Sequence, residues 1–423
     1  MITALDVARC IVSRLSVPDR LGARTLLSRH FAHGSTVEIA GMSGLSGAAA
    51  CGWAHWALYT AESDDAHARN GHHFMALAVE NLELGDTLLL GRSGIGIATG
   101  WICRNTQAYR GLHAQLSVAV GNSVSERLTL SFRPRSSHEL ELLNGIAGEL
   151  LAIDGASEVE RCAVDAIVRV LDETTADPSH SGWRLRNSID PSDPRERSLL
   201  GVSHGLAGFL GSLLCNGLTD RGKSVASRIA NSLYHAAVLG PFGPQWPHGL
   251  GNSRTVGIGD DGFRVAWCHF SLGIAAVLWC AGRLLGEPHL CERALDSLHG
   301  IARSPRNRWG IVDFGICHGA AGAALILDHV GRNANDAALR DVAASLFSEL
   351  IAGYDQELPF GYEALVQGQR YSDPSLINGV SGIVLACLTL GGYIDDSWLA
   401  AFGIPGTAQL SAQPESATTS STF

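Results

Sequence analysis

The chain has 423 residues, of which 46% are apolar and only 17% charged, so it can bury a large core. A formal net charge of −10 argues against a nucleic-acid binder and against an anionic membrane surface as partner, because phosphate recognition needs a basic face. No apolar run reaches the ~18 residues that mark a membrane span, and MITALDVARCIVSRL lacks a signal-peptide layout, so the expected location is the cytoplasm, without membrane insertion.

Read from the N-terminus, the chain is punctuated by glycine. A Gly-x-x-Gly followed by small or apolar residues starts at Gly44, Gly91, Gly145 and Gly205, appears in degenerate form as Phe270-Ser-Leu-Gly273, and returns at Gly319 and Gly379. Such spacing fits one helical hairpin per repeat. After each pair the pattern turns helical: Leu206, Phe209, Leu210, Leu213 and Leu214 share one face, as do Val380, Ile383, Val384, Cys387 and Leu388. These segments carry few charges and are expected to be buried on most sides. Polar-faced helices are predicted between them, at 222–239, 288–304 and 336–352. The alternation predicts an all-α fold with an inner and an outer ring of helices, as one domain over 1–405. An open stack of helix pairs is the competing arrangement. The polar stretch 406–423 is expected to be a disordered tail.

Ten cysteines are scattered through this text, and most are expected to be reduced, buried thiols acting as small apolar residues. Aligning the repeat starts singles some out. His204 precedes Gly205; Cys268 and His269 precede Phe270; Cys317 and His318 precede Gly319 in GICHGAAG. A ring would bring these loop ends to one mouth. Cys268, Cys317 and His318 form a Cys2His set that suits zinc with a fourth position open to water or substrate. For each cysteine alone, a buried thiol is the competing reading. Two thiolates make a metal electron-rich, and its natural work is to activate another thiol. His204 could move a proton at the same mouth, or simply start a helix. Arg264 could hold an oxyanion or an acidic partner; with Asp260 and Asp261 nearby, a solvated loop arginine is the alternative.

From about residue 35 to 400 the chain resembles the lanthionine synthetase C-like proteins, the cyclases of lanthipeptide biosynthesis. The resemblance lies in GVSHGLAG at 201–208, PQWPHGLG at 244–251, RVAWC at 264–268 and GICHGAAG at 315–322, taken together with the seven repeats. It implies an α/α toroid of seven inner and seven outer helices with one Zn2+ at the mouth. By position it makes Cys268, Cys317 and His318 the zinc ligands, His204 the acid/base histidine and Arg264 an active-site arginine. The implied reaction adds a peptide cysteine thiol to dehydroalanine or dehydrobutyrine, giving a lanthionine or methyllanthionine thioether ring. The implied partners are a dehydrated precursor peptide and, since the chain shows no room for a dehydratase domain, a separate dehydratase.

Three positions depart from the family pattern. His269-Phe270 stands where Tyr-Gly is common after the first zinc cysteine. Glu141 stands where an aspartate is common, four residues before the third repeat's glycine. Glu141 and His269 count as candidate catalytic positions; His269 is either a replacement proton donor or a competing metal ligand. Three other functions fit the residues less well. They are addition of glutathione or another small thiol to dehydrated residues, a non-catalytic peptide-binding scaffold, and a glycoside hydrolase, which would need a pair of carboxylates.

Overall fold

Every glycine pair opens a helix. The computed structural model describes residues 2–16, 28–30, 36–38, 44–80, 82, 85–134, 136–176, 198–250, 264–366 and 368–412. Asp260, Asp261 and the end of the chain beyond 412 lie outside the described residues.

The helices that follow the glycines are α2 (Ala48–Glu62), α4 (Arg92–Thr106), α6 (Ile146–Leu150), α8 (Leu206–Asn216), α10 (Ser271–Leu285), α12 (Ala320–Asn333) and α14 (Val380–Leu390). They form the inner layer, and their few charges are explained by burial all round. In α14, for example, every residue from Val380 to Thr389 is buried. The outer layer comprises α3 (Asp65–Glu80), α5 (Arg110–Arg127), α7 (Glu158–Thr175), α9 (Asp220–Ala236), α11 (Pro288–Arg303) and α13 (Ala337–Ala352). Each of these buries one stripe. Several have side-chain caps, such as the Ser157–Glu160 capping box of α7.

The seventh outer helix comes from the other end of the chain. Helix α1 (Ala4–Leu15), capped by Thr3 and Asp6, packs on α14 and α2. Arg14 donates to the carbonyls of Leu358 (2.6 Å) and Gln356 (2.8 Å), fastening the two ends. After α14, Gly391 and Gly392 stop the helix, and the chain turns inward instead. A 3-10 helix, Ser397–Phe402, buries Trp398, Leu399 and Phe402 against α4 and α8, crossing the ring's centre. Trp267 Nε1 donates to Phe402 O at 2.9 Å, and the two rings meet edge to face. Thr407–Ser411, inside the stretch expected as tail, forms one short helix, α15, with Leu410 buried.

The second glycine of a pair is there for backbone contact. A Cβ on Gly94, Gly148, Gly208, Gly273, Gly322 or Gly382 would stand only 1.9–2.2 Å from the carbonyl oxygen six residues earlier. The loops in front of the glycines then bond to one another in a fixed direction. Leu45 N donates to Leu88 O, Leu88 N to Leu143 O, Ser203 N to Cys268 O, Trp267 N to Cys317 O, Ile316 N to Ile377 O, and Leu376 N back to Leu45 O. The last of these joins the seventh repeat to the first, so the structure is a closed α/α toroid and the open stack is excluded.

Short strands decorate this ring as four antiparallel pairs among the described residues: β1 (Ser28–His30) with β2 (Thr36–Glu38), β3 (Ser198–Leu199) with β6 (Gly249–Leu250), β4 (Val238–Gly240) with β5 (Gly243–Gln245), and β7 (Ala364–Val366) with β8 (Gln369–Tyr371). The helix predicted at 222–239 therefore ends sooner, at Ala236, where the β4–β5 hairpin begins. Among the described residues no helix is long and apolar enough to cross a membrane.

Candidate metal centre

The belt of loop hydrogen bonds fixes the site. Cys268 and Cys317 sit in adjacent repeat loops, and Cys317 O accepts from both Trp267 N (2.9 Å) and Cys268 N (3.3 Å). This pins the two thiols side by side. Cys268, Cys317 and His318 each bring one ligand atom into a group whose members all lie within 4.8 Å of one another. Consecutive residues can both face the group because Cys317-His318 precedes the first turn of α12. Two sulfurs and one imidazole are a zinc-type donor set, three protein ligands with a fourth position left over. His269 is not part of the group, so the geometry does not make it a competing ligand.

The electrostatics prepare a thiolate. A hydrogen bond from the Cys317 thiol lowers the pKa of Cys268 to about 7 against the cost of burial, helped by His318, Arg264 and His204. The same bond and burial push Cys317 upward, since its proton is the one being shared. The arrangement thus favours a thiolate on Cys268 with the remaining proton on Cys317, and a metal ion would displace that proton.

Beside the thiols, Glu141 is wholly buried and bonded to Nδ1 of His204. Asn144 Nδ2 donates to the other carboxylate oxygen at 2.7 Å, and His138 Nδ1 lies 3.5 Å from it. Burial disfavours a charged His204, but the Glu141 carboxylate outweighs it and the pKa is raised. With Nδ1 occupied, Nε2 is the nitrogen left for chemistry.

His269 stacks on His204 with centroids 5.6 Å apart, and meets His248 edge to face at 4.6 Å. Burial holds its pKa well below the usual imidazole range, and the neighbouring His248 and His204 add to this. Its Nδ1 is buried without a hydrogen-bond partner among the described residues, as is Nε of Arg264. Gly201 makes room for this arrangement: a Cβ there would meet Cys268 O at 2.5 Å and His269 Nδ1 at 2.6 Å. Phe270 takes the place of the first glycine at φ +65° and ψ −160°, whereas Gly91, Gly145, Gly205, Gly319 and Gly379 keep negative φ. A Cβ on Gly205 or Gly379 would strike the carbonyl six residues back, and the inverted φ carries the Phe270 side chain away from that wall. The inverted conformation is one that non-glycine residues rarely adopt.

The structure thus brings together Glu141, His204, Arg264, Cys268, His269, Cys317 and His318. Sequence reasoning missed His248, Gly201 and Asp313. Asp313 could have been found by alignment, since it stands six residues before its repeat's first glycine, as Arg264 stands six before Phe270.

No curated protein sequence matches the chain. Among solved structures it is similar to nisin cyclase, with a TM-score of 0.71 and 19% identity over 86% of this chain and 92% of that one. An unsaturated glucuronyl hydrolase from Bacillus sp. GL1 aligns at a TM-score of 0.45 and 16% identity, over 92% of this chain and 96% of that one. The model of the lanthionine synthetase C-like protein family matches residues 31–402, and the chain belongs to that family.

Proposed function

We propose that this protein is a zinc-dependent lanthipeptide cyclase, which adds cysteine thiols of a dehydrated precursor peptide to dehydroalanine or dehydrobutyrine in the same peptide. The observation that carries the reading is the gathering of two thiols and an imidazole within 4.8 Å, beside an imidazole held by a buried carboxylate. The similarity to nisin cyclase supports it.

Cys268, Cys317 and His318 would hold the ion. Zinc held there would lower the pKa of a thiol that binds it, as it does for water. The thiol gives its proton to solvent, from which His204 is recharged after each turnover, sulfur forms a bond to Cβ of the dehydro residue, and the π pair moves toward the adjacent carbonyl. Arg264 offers a cation to the oxygen where that charge develops. His204, whose charged form is favoured by the Glu141 carboxylate against the cost of burial, donates a proton from Nε2 to Cα. The atoms of S–H are thus added across the double bond and nothing leaves. His269, kept neutral by its surroundings, packs against His204 and limits its tilt. The protein works in the cytoplasm on the product of a separate dehydratase.

The test is to incubate the purified, zinc-loaded protein with a dehydrated cysteine-containing peptide. Loss of free thiol at unchanged mass is the expected result. A mass gain only when glutathione is added would transfer the activity to small thiols. Binding without either change would make the protein a scaffold.

A further inference from the structure

Asp313 is buried to 6% exposure, and its two oxygens serve different masters. Oδ1 accepts from Gly315 N at 3.2 Å, closing a turn at the start of the metal loop. Oδ2 stands 3.3 Å from Nε2 of His318 and 3.2 Å from the backbone nitrogen of Leu365 in β7.

The ring contains its own control. Asp373 occupies the same place in the seventh repeat, six residues before Gly379, and its Oδ1 accepts from Ser375 N at 2.7 Å. The backbone carbonyls of the two aspartates also do the same work, accepting from Ala320 N and Val380 N at the following helix starts. The turn is therefore what an aspartate does at this position in either repeat. The contact to a histidine is peculiar to Asp313, because the seventh repeat has Asn378 where the sixth has His318.

We propose, resting on the metal reading above, that Asp313 is the positioning residue of the centre. Its Oδ2 accepts the Nε2–H of His318, and so fixes the tautomer that leaves the Nδ1 lone pair facing Cys268 and Cys317. Since Oδ2 also receives the Leu365 amide, the β7–β8 hairpin is tied to the orientation of this ligand. A metal-binding imidazole oriented by a carboxylate gains both basicity and a fixed ring plane.

Asp313→Asn tests this with little change of shape. Its amide oxygen can still accept from Gly315, as asparagine does in such turns. Its NH2 then faces Nε2 and favours the opposite tautomer, with the proton on Nδ1. The measurement is zinc affinity of the metal-free, reduced protein by competition with a chromophoric chelator. It is paired with histidine nitrogen-15 NMR of the metal-free protein, at a pH high enough that His318, whose pKa Asp313 raises against the cost of burial, is neutral. Asp313→Asn should weaken zinc about 10–100-fold and shift the His318 nitrogen signals between tautomers, while Asp373→Asn does neither. Equal affinity of wild type and Asp313→Asn would overturn the proposal, as would an equal loss in Asp373→Asn or an unmoved His318 signal. A wild-type protein that binds no zinc would instead remove the metal reading itself, and this inference with it.

Discussion

The carboxylate of Glu141, without any exposure of its own, is bonded to Nδ1 of His204, 63 residues further along the chain. The third and fourth repeat loops place the two at the same mouth. Asn144 secures the other carboxylate oxygen, which holds the acid against rotation.

This pairing makes a kinetic prediction. As a proton donor His204 must be charged, so the rate should fall as pH rises through its raised pKa. Removing the Glu141 charge lowers that pKa, which moves the falling limb of the profile to lower pH. Glu141→Gln should therefore lose about tenfold at neutral pH and recover part of it in mild acid, whereas His204→Ala loses about 100-fold at every pH. Both variants should keep their zinc. The pH profile of ring formation reads all three effects.

Cys317 lies in a loop, and the ring has its own core beneath it. Cys317→Ala should lose the metal and leave the melting of the metal-free protein nearly unchanged. Zinc at ~100 times its Kd should stabilise the wild type by about 2.7 kcal/mol and the variant not at all. Metal analysis and paired melting curves with and without zinc check this.

Phe270 gives a prediction that reverses a usual order. Alanine is normally preferred to glycine within ordered structure, but at φ +65° any Cβ is strained. Both Phe270→Ala and Phe270→Gly lose the buried ring, at about 3–5 kcal/mol. The glycine variant should nevertheless be the more stable of the two by about 1 kcal/mol or more. Urea unfolding of the pair decides it; an alanine variant as stable as the glycine variant would show that the backbone relaxes freely.

A second histidine contributes to the acid sensitivity of the fold. His55 is fully buried in α2, stacked on Phe74 at 5.6 Å, and burial, with the charge of His67, pushes its pKa down to about 3. In the unfolded chain it titrates near its ordinary ~6.5. Between these values the unfolded chain binds a proton that the folded one refuses, so its stability is full above about 6.5 and falls as pH drops toward about 3. His55→Phe should flatten this dependence. Urea midpoints at about pH 7.5 and about pH 5 measure it.

The ring and its candidate metal set were legible because they rest on repetition. Six second glycines face the same carbonyl, and a close approach leaves no other residue type to choose, so the repeat shows in one-letter text. Cys268, Cys317 and His318 stood out by their place in that repeat. What escaped notice is carried by backbone direction or by long range. Nothing local marks α1 as the partner of α14, since its pattern is that of any outer helix and the contact spans nearly the whole chain. Asp313 reads as an ordinary turn former, as Asp373 in fact is, until the imidazole beside it is seen. Gly201 differs from the repeat glycines only in what lies opposite, Cys268 and His269 of the next loop. The inward turn after α14 was hidden because Trp398 and Phe402 look like a helix face, while Gly391 and Gly392 deny them one.

The ring's last joint, Leu376 to Leu45, and the clasp of Arg14 on residues 356 and 358 have a consequence for biosynthesis. Helix α1 leaves the ribosome before any of the seven repeats, and its partner α14 only after the other six inner helices. For most of translation α1 must keep its apolar stripe without its final neighbour, and the arc of repeats must stay open at one seam. The seam can close only after release of the seventh repeat, so this contact of very long sequence separation forms late in folding.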